Sequence, residues 1–381
     1  MRVLLVTLSD ILPFALTQVL NPELEYCAIV VDEPDITKKI LENYPPLRDK
    51  IFSFYELKEC VENFYYDILL CISDNRIVWK MCDYLKKYQV TSEKFFHVYL
   101  SNDKDNLFLM ERSLHYYKEH ATEFEIFATG ISNICVALDA TKFKKKIFNF
   151  GRDSQDLYYD YQIAKFIFNE CENIRIKYAL IGLMPYSFHY DESKAYTYRH
   201  RIFQYLIAFN DLHNFTIPAS ECRKMFREKF LNSRLSLNSF DLNNIFLAKN
   251  KLQIMTAQER LRARDIIDRW NGRNYPVTRK ENLKILDDYL NLCKSNKVRA
   301  VMFLPPLSKG YMKYLNREIV DEFHYLIRET RKKYPDIVFF DGWKLNGFLD
   351  EDFCDVSHLN LKGAAKFSAI LNNVIENLEK G

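Results

Sequence analysis

Glycine is scarce in this chain, with nine in 381 residues, and the first is Gly130. A dinucleotide site needs glycine where the backbone passes close to a pyrophosphate, so the first 129 residues lack the means to build that turn. The nine cysteines are scattered and no Cys-x-x-Cys occurs. An odd, unpatterned set excludes a disulfide framework or a zinc ribbon and reads as reduced thiols in a cytoplasmic protein. No apolar run approaches the ~20 residues that cross a bilayer. The opening Met-Arg-Val-Leu-Leu-Val-Thr-Leu-Ser is broken by Asp10 and Pro13 and has no small-residue cleavage site. It reads as a first β-strand and not as a signal peptide.

What is present is apolar and aromatic. Hydrophobic residues make up 48% and aromatics 15%, which places the chain among globular proteins rather than disordered ones. The length suits two or three domains of ~150 residues. The net charge is only +3 but is unevenly spread. Residues 1–110 hold 12 Lys and Arg against 17 Asp and Glu, whereas residues 191–280 hold 17 against nine. One segment therefore carries the whole basic excess. It contains Arg260, Arg262, Arg264 and Arg269. Such a run is most often a solvated face, yet guanidinium forks also match carboxylate and phosphate geometry. An anionic sugar or a nucleotide-linked donor fits it. No nucleic-acid motif accompanies it, so nucleic acid is not expected as a partner.

Residues 1–110 alternate β-rich apolar runs (3–8, 28–31, 51–54, 67–72 and 95–100) with amphipathic helical ones. Apolar strands separated by helices predict a parallel sheet covered on both faces. Here that means a Rossmann-like accessory domain. Its first turn, Leu8-Ser-Asp-Ile-Leu-Pro13, puts an acid where a phosphate would sit. A second alternation follows in residues 111–381, with strands expected at 125–130, 147–151, 178–183, 299–304 and 336–341. Long helical stretches fill the gaps, and a closing helix covers 362–379. Residues 190–280 form a helical, basic insert between the third and fourth strands, read as a cap over the sheet edge. Sites in open α/β sheets lie outside the carboxyl ends of the strands, so chemistry is sought there.

Two strand ends carry reactive side chains. After the first strand of this half stands Phe127-Ala-Thr-Gly-Ile-Ser-Asn133. A serine in a strand-to-helix turn presents its hydroxyl to the crevice, and the following N–H groups can donate to an oxyanion. The same residue type is a favoured helix cap. After the last strand stands Phe353-Cys-Asp-Val-Ser-His358, with an acid and an imidazole three residues apart just before the closing helix. His358 can serve as a base that Asp355 orients.

The order of these features resembles the SGNH/GDSL hydrolase superfamily over about 120–381, apart from the insert. The resemblance implies a three-layer αβα domain with a five-stranded parallel sheet. It also implies Ser132 as nucleophile, Asp355 and His358 as its triad partners, and Gly151 as an oxyanion N–H donor. The phrases Asn149-Phe-Gly-Arg-Asp-Ser-Gln-Asp-Leu-Tyr-Tyr-Asp160 and Val301-Met-Phe-Leu-Pro-Pro306 look like the branch found among bacterial cell-surface polysaccharide O-acyl enzymes. The first domain is similar in pattern to small Rossmann-like modules attached to bacterial surface-sugar enzymes. Two departures stand out. The usual Gly-Asp-Ser is Gly130-Ile-Ser132, and the Gly-x-Asn-Asp block is replaced by Gly182-Leu-Met-Pro-Tyr-Ser-Phe188. Losing the Asn of that block removes an oxyanion donor, worth roughly 2.7–4 kcal/mol. Gln155, Tyr186, Ser187 and Asn133 are the candidate substitutes.

These readings predict a serine O-acyltransferase or esterase that modifies a bacterial surface glycan or its sugar precursor. No resident cofactor or metal is expected, and an acyl-CoA is compatible as an activated donor. Two alternatives share the fold: transfer of a phosphoryl-type group to a capsular sugar, and a non-catalytic scaffold for glycan binding or assembly. His189 and His200 lie in Tyr-rich stretches at the start of the insert and read as exposed helix positions or as residues lining the site.

Overall fold

The computed structural model describes all residues except 43–44, 75–76, 92, 101–106, 197–198, 233–253 and 381, and the side chains of 78, 79, 262, 266 and 269. The chain divides into two compact units. The first comprises Met1–Arg112 and Glu192–Ser236, the second Ser113–Asp191 and Leu237–Gly381.

In the first unit, strands β1 (Arg2–Thr7), β2 (Glu25–Val31), β3 (Ile51–Ser53), β4 (Ile68–Ser73) and β5 (Phe95–Tyr99) form one sheet in the order β3-β2-β1-β4-β5. All four pairings are parallel. The sequence reason is visible in β1 and β4. Val3 to Val6 and Ile68 to Cys71 are fully buried, as expected of strands covered on both faces, and their apolar runs are continuous rather than alternating.

The stretch 190–280, read from sequence as one cap over the second sheet, divides instead. The described residues of 192–236 belong to the first unit. There Phe203 and Phe226 meet Phe96 of β5 at 6.1 and 6.2 Å between ring centres. Asn21 N–H donates to the Met225 carbonyl at 3.0 Å. Arg227 donates to the Leu20 and Leu16 carbonyls at 2.9 and 3.2 Å, and the Arg199 guanidinium lies over Phe215 at 5.1 Å. Part of the basic excess is thereby used on internal carbonyls and rings. His200 is buried beside His97 and Tyr99, at 5.2 and 5.5 Å between ring centres. The helix Ala257–Asn271, with Arg260 paired to Asp350 at 3.2 Å, belongs to the second unit.

In the second unit, β6 (Ile126–Thr129), β7 (Ile147–Asn149), β8 (Tyr178–Gly182), β9 (Arg299–Leu304) and β10 (Val338–Asp341) form a parallel sheet in the order β10-β9-β8-β6-β7. Strand residues alternate between the two faces. Phe127 and Thr129 share one face of β6 and meet Phe168 of helix Leu157–Glu170 and Tyr289 of helix Pro276–Ser295. The register pairs Thr129 with Ile181 and Ile181 with Met302, so the adjacent Phe303 faces the other side. Phe303 and its register partner Phe340 meet Phe367 of helix Leu361–Lys380. Helices thus cover both faces, as the strand-helix alternation predicts. The carboxyl ends of β6, β9 and β10 lead into the segments that carry Ser132, Ser308 and the Asp355–His358 pair.

Candidate active site

Ser132 is the first residue of the short helix Ser132–Cys135, and the turn before it depends on glycine. Gly130 has φ +141°, a conformation that side chains rarely adopt. A Cβ there would stand 2.5 Å from Ile134 Cγ1 and 2.8 Å from the Gly182 carbonyl. Ile134 is fully buried, so the turn packs tightly enough to fix the serine's direction. The helix closes with Ile134 and Cys135 N–H groups donating to the Ile131 carbonyl at 2.8 and 3.1 Å. The N–H groups of Ser132 and Asn133, at the first two helical positions, have no intrahelical acceptor.

The acid and base come from a tight loop after β10. Phe353 and Leu359 form an antiparallel bridge, and Cys354 N–H donates to the His358 carbonyl at 2.9 Å. Within that loop Asp355 Oδ1 accepts from the Ser357 and His358 N–H groups at 2.8 and 2.9 Å. Asp355 Oδ2 takes the His358 Nδ1–H at 2.8 Å. His358 Nε2 is then an acceptor, and it receives the Ser132 hydroxyl at 2.9 Å. All three side chains are partly exposed. Burial works against the charge on Asp355, but the His358 charge and these hydrogen bonds outweigh it and hold the carboxyl at about 2.

Two further contacts clamp the loop. Asn133 Nδ2 donates to the Ser357 carbonyl at 2.7 Å. The Ser308 hydroxyl, beyond the end of β9, donates to the Val356 carbonyl at 2.7 Å. Ser132 and the His358 loop are thus held in register by side chains from separate strand ends.

The other expected site residues lie nearby but are engaged within the structure. Gly151 N–H, expected to face an oxyanion, donates to Asn149 Oδ1 at 2.9 Å. Gly151 permits close packing instead: a Cβ would stand 2.9 Å from Cys135 N. Gln155 Nε2 donates to Asp160 Oδ1 at 2.6 Å, and both residues are buried. Burial raises the Asp160 carboxyl well above its usual range, the neighbouring Asp156 adds to this, and hydrogen bonds from Gln155 and Gly130 oppose it. Ser187 Oγ accepts from Met184 N–H at 2.9 Å as a turn cap. The Tyr186 hydroxyl reaches Asn133 Oδ1 at 3.4 Å. The Asn133 side chain, with its amide on Ser357 and its carbonyl facing Tyr186, braces the serine turn. The backbone N–H groups of Ser132 and Asn133 open the short helix that begins at the serine.

Sequence reasoning missed Ser357, whose hydroxyl donates to Asp355 Oδ1 at 3.1 Å. Its signal was present, because an Asp followed two residues later by Ser is the pattern of a local Asx turn. It also missed Ser308, whose hydroxyl holds the Val356 carbonyl. His189 is buried, accepting from Tyr275 N–H at Nδ1 (3.0 Å) and donating from Nε2 to Glu322 (2.7 Å).

No protein-family model matches the chain, and no curated protein matches it. Among solved structures, one provisionally assigned as a platelet activating factor from Streptococcus pneumonia is similar over 72% of this chain and 93% of its own, at 10% identity and a TM-score of 0.39.

Proposed function

We propose that the second unit is an SGNH-type serine enzyme that moves an acyl group to or from a hydroxyl of a bacterial surface glycan or its sugar precursor. The observation that carries this reading is the continuous relay Ser132 Oγ–His358 Nε2 at 2.9 Å and His358 Nδ1–Asp355 Oδ2 at 2.8 Å. That distance lies within the hydrogen-bond reach a nucleophile needs from its base.

The chemistry follows from that relay. Ser132 Oγ attacks the acyl carbonyl carbon, and its proton passes to His358 Nε2. Asp355 keeps the ring in the tautomer that accepts there and stabilises the imidazolium that forms. The carbonyl oxygen becomes an oxyanion, which the N–H groups of Ser132 and Asn133 receive. His358 then gives its proton to the leaving oxygen or sulfur, leaving an acyl-Ser132 ester. An incoming hydroxyl loses its proton to His358 and attacks that ester, and His358 passes the proton to Ser132 Oγ as the acyl–oxygen bond breaks, which restores both residues. Water as the incoming group makes an esterase and a sugar hydroxyl an O-acyltransferase. The nine cysteines are buried and form no disulfide, which supports action in a reducing compartment, the cytoplasm.

Ser132→Ala tests the reading. It should abolish release of acetate from acetylated sugars and chromogenic acetyl esters while the melting temperature stays near that of the native chain. Unchanged turnover would remove Ser132 from the mechanism. Acyl transfer from acetyl-CoA to an added glycan, read by mass spectrometry, separates transfer from hydrolysis.

A further inference from the structure

The first unit holds a cavity of about 1020 Å³, and its lining, among the described residues, comes from that unit alone. The sheet order explains its place. The chain leaves β1 towards β2 and leaves β4 towards β5, so two adjacent strands send their connections in opposite directions. The crevice outside the carboxyl ends of such a pair is where open α/β sheets take ligands. Asp10 and Ile11 line the cavity after β1, Asp74 after β4 and Leu100 after β5.

One wall joins two segments that are distant in sequence. After β1 the chain makes a π-helical turn, Ala15–Val19, closed by Leu20 N–H on the Ala15 carbonyl at 2.7 Å. Turns of this width are rare and gather at functional sites. Thr17 and Gln18 of this turn line the cavity, as does Phe14 just before it. Arg227 clamps the turn. Its side chain donates to the Leu20 and Leu16 carbonyls at 2.9 and 3.2 Å, and its N–H to the Val19 carbonyl at 2.8 Å. The Asn21 side chain donates to the Lys224 carbonyl at 3.1 Å. Beside this clamp, Phe226 and Phe230 line the cavity together with Phe108. Phe108 and Phe230 meet edge to face at 5.5 Å between centres, and Phe203 meets Phe226 at 4.8 Å. The cavity is thus pre-formed, as small-molecule sites are.

The lining also selects the ligand. Ile11, Phe14, Leu100, Leu107 and Phe230 are only partly buried, so an occupant would take apolar surface out of water. An anion finds no cradle. This unit contains no glycine, so its backbone lacks the turn that closes on a phosphate. The acids Asp10, Asp74 and Glu228 line the cavity against Lys229 and an Arg227 that holds two carbonyls. We propose that this cavity is a binding site for an uncharged, largely apolar molecule. Binding there is a property of the first unit and does not depend on the chemistry at Ser132.

The test uses Nile red, an uncharged dye whose emission rises in apolar surroundings. The full-length protein should bind it saturably at one site per chain, and dodecanol should displace it. Dodecanoate should compete about tenfold or more less well, since a charge taken from water without a partner is penalised, and adenosine monophosphate should not compete. Leu100→Trp and Leu107→Trp each place a large ring in the cavity. Each should weaken dye binding by about tenfold or more through the clash with the dye, with a melting temperature near that of the native chain. Ile36→Trp, at an exposed position of helix Pro34–Ile40 away from the lining, should bind as the native chain does. No saturable binding, or undiminished binding in both folded cavity variants, would overturn the site. Equal competition by dodecanoate and dodecanol would overturn the uncharged class. Photolabelling of the native protein with a diazirine-bearing alcohol needs no variant. Label on peptides that carry Phe14, Phe108 or Phe230 supports the site, and label confined to other peptides overturns it.

Discussion

The Asn133 amide donates to the Ser357 carbonyl at 2.7 Å and so joins two turns that are 224 residues apart in sequence. One turn holds the serine and the other holds its base. The bond fixes the separation of Ser132 from His358 without touching either reactive atom.

Replacing Asn133 with Ala should therefore act on geometry. The Ser357 carbonyl loses its donor, and a buried polar group left without a partner costs about 1–3 kcal/mol. We expect a modest fall in melting temperature together with a drop in kcat of about tenfold or more, since the serine–imidazole distance is no longer held. Kinetics on an acetyl ester, paired with thermal unfolding, would measure both. An unaltered kcat would mean that the loop positions His358 by itself.

Gly151→Ala separates two roles for that glycine. Alanine keeps the N–H but adds a Cβ 2.9 Å from Cys135 N and 3.0 Å from Asn149 Oδ1. The expected outcome is an overpacked turn, destabilised by about 1–3 kcal/mol. Asn149→Ala should also lower kcat, because it removes both the acceptor for Gly151 N–H and a donor to the Cys135 carbonyl at 3.1 Å. A higher kcat in Asn149→Ala would show instead that the released Gly151 amide serves the oxyanion.

Asp355→Asn should lower kcat by on the order of 10⁴, through loss of the correct imidazole tautomer. The carboxyl also links stability to pH. It sits at about 2 against an ordinary 3.8. A depressed acid contributes stability that is full above its unfolded value and is lost as pH falls through the folded one. Native protein should thus lose stability between about pH 4 and pH 2, and Asp355→Asn should show less of that loss in acid-unfolding curves.

His97 makes a separate pH prediction for the first unit. Its ring is almost fully buried, with Nε2 2.6 Å from Ser73 Oγ. Burial lowers it from 6.5 to about 3. The unfolded chain therefore takes up a proton that the folded one refuses, so stability falls as pH drops from about 6.5 towards 3. His97→Gln keeps a hydrogen-bonding side chain but cannot titrate there. Its unfolding midpoint in denaturant should vary less over that pH range.

The strands were legible because parallel strands buried on both faces leave unbroken apolar runs, as in Val3 to Val6 and Val301 to Leu304. The Ser132 turn was legible through Gly130, and the acid–base pair through its spacing before the last helix. The partner of the Gly151 amide was not legible. Whether the Gly151 amide faces substrate or Asn149 is decided by a turn of three residues, and no pattern in the sequence encodes it. The insert was misread for a related reason. Its excess charge suggested one basic cap, whereas Arg227 uses its donors on the Leu16 and Leu20 carbonyls inside the first unit. The stacking of Arg273 and Trp270 against Tyr186 and Tyr190 was hidden because the two tyrosines come from a distant part of the chain.

The most direct test is to look for a covalent adduct on Ser132. The protein should be incubated with a slowly deacylating activated ester or a fluorophosphonate, digested, and the modified peptide located by mass spectrometry. A single stoichiometric adduct on Ser132, lost in Ser132→Ala and strongly slowed in His358→Ala, is the predicted result. Labelling at another residue, or none with the fold intact, would contradict it.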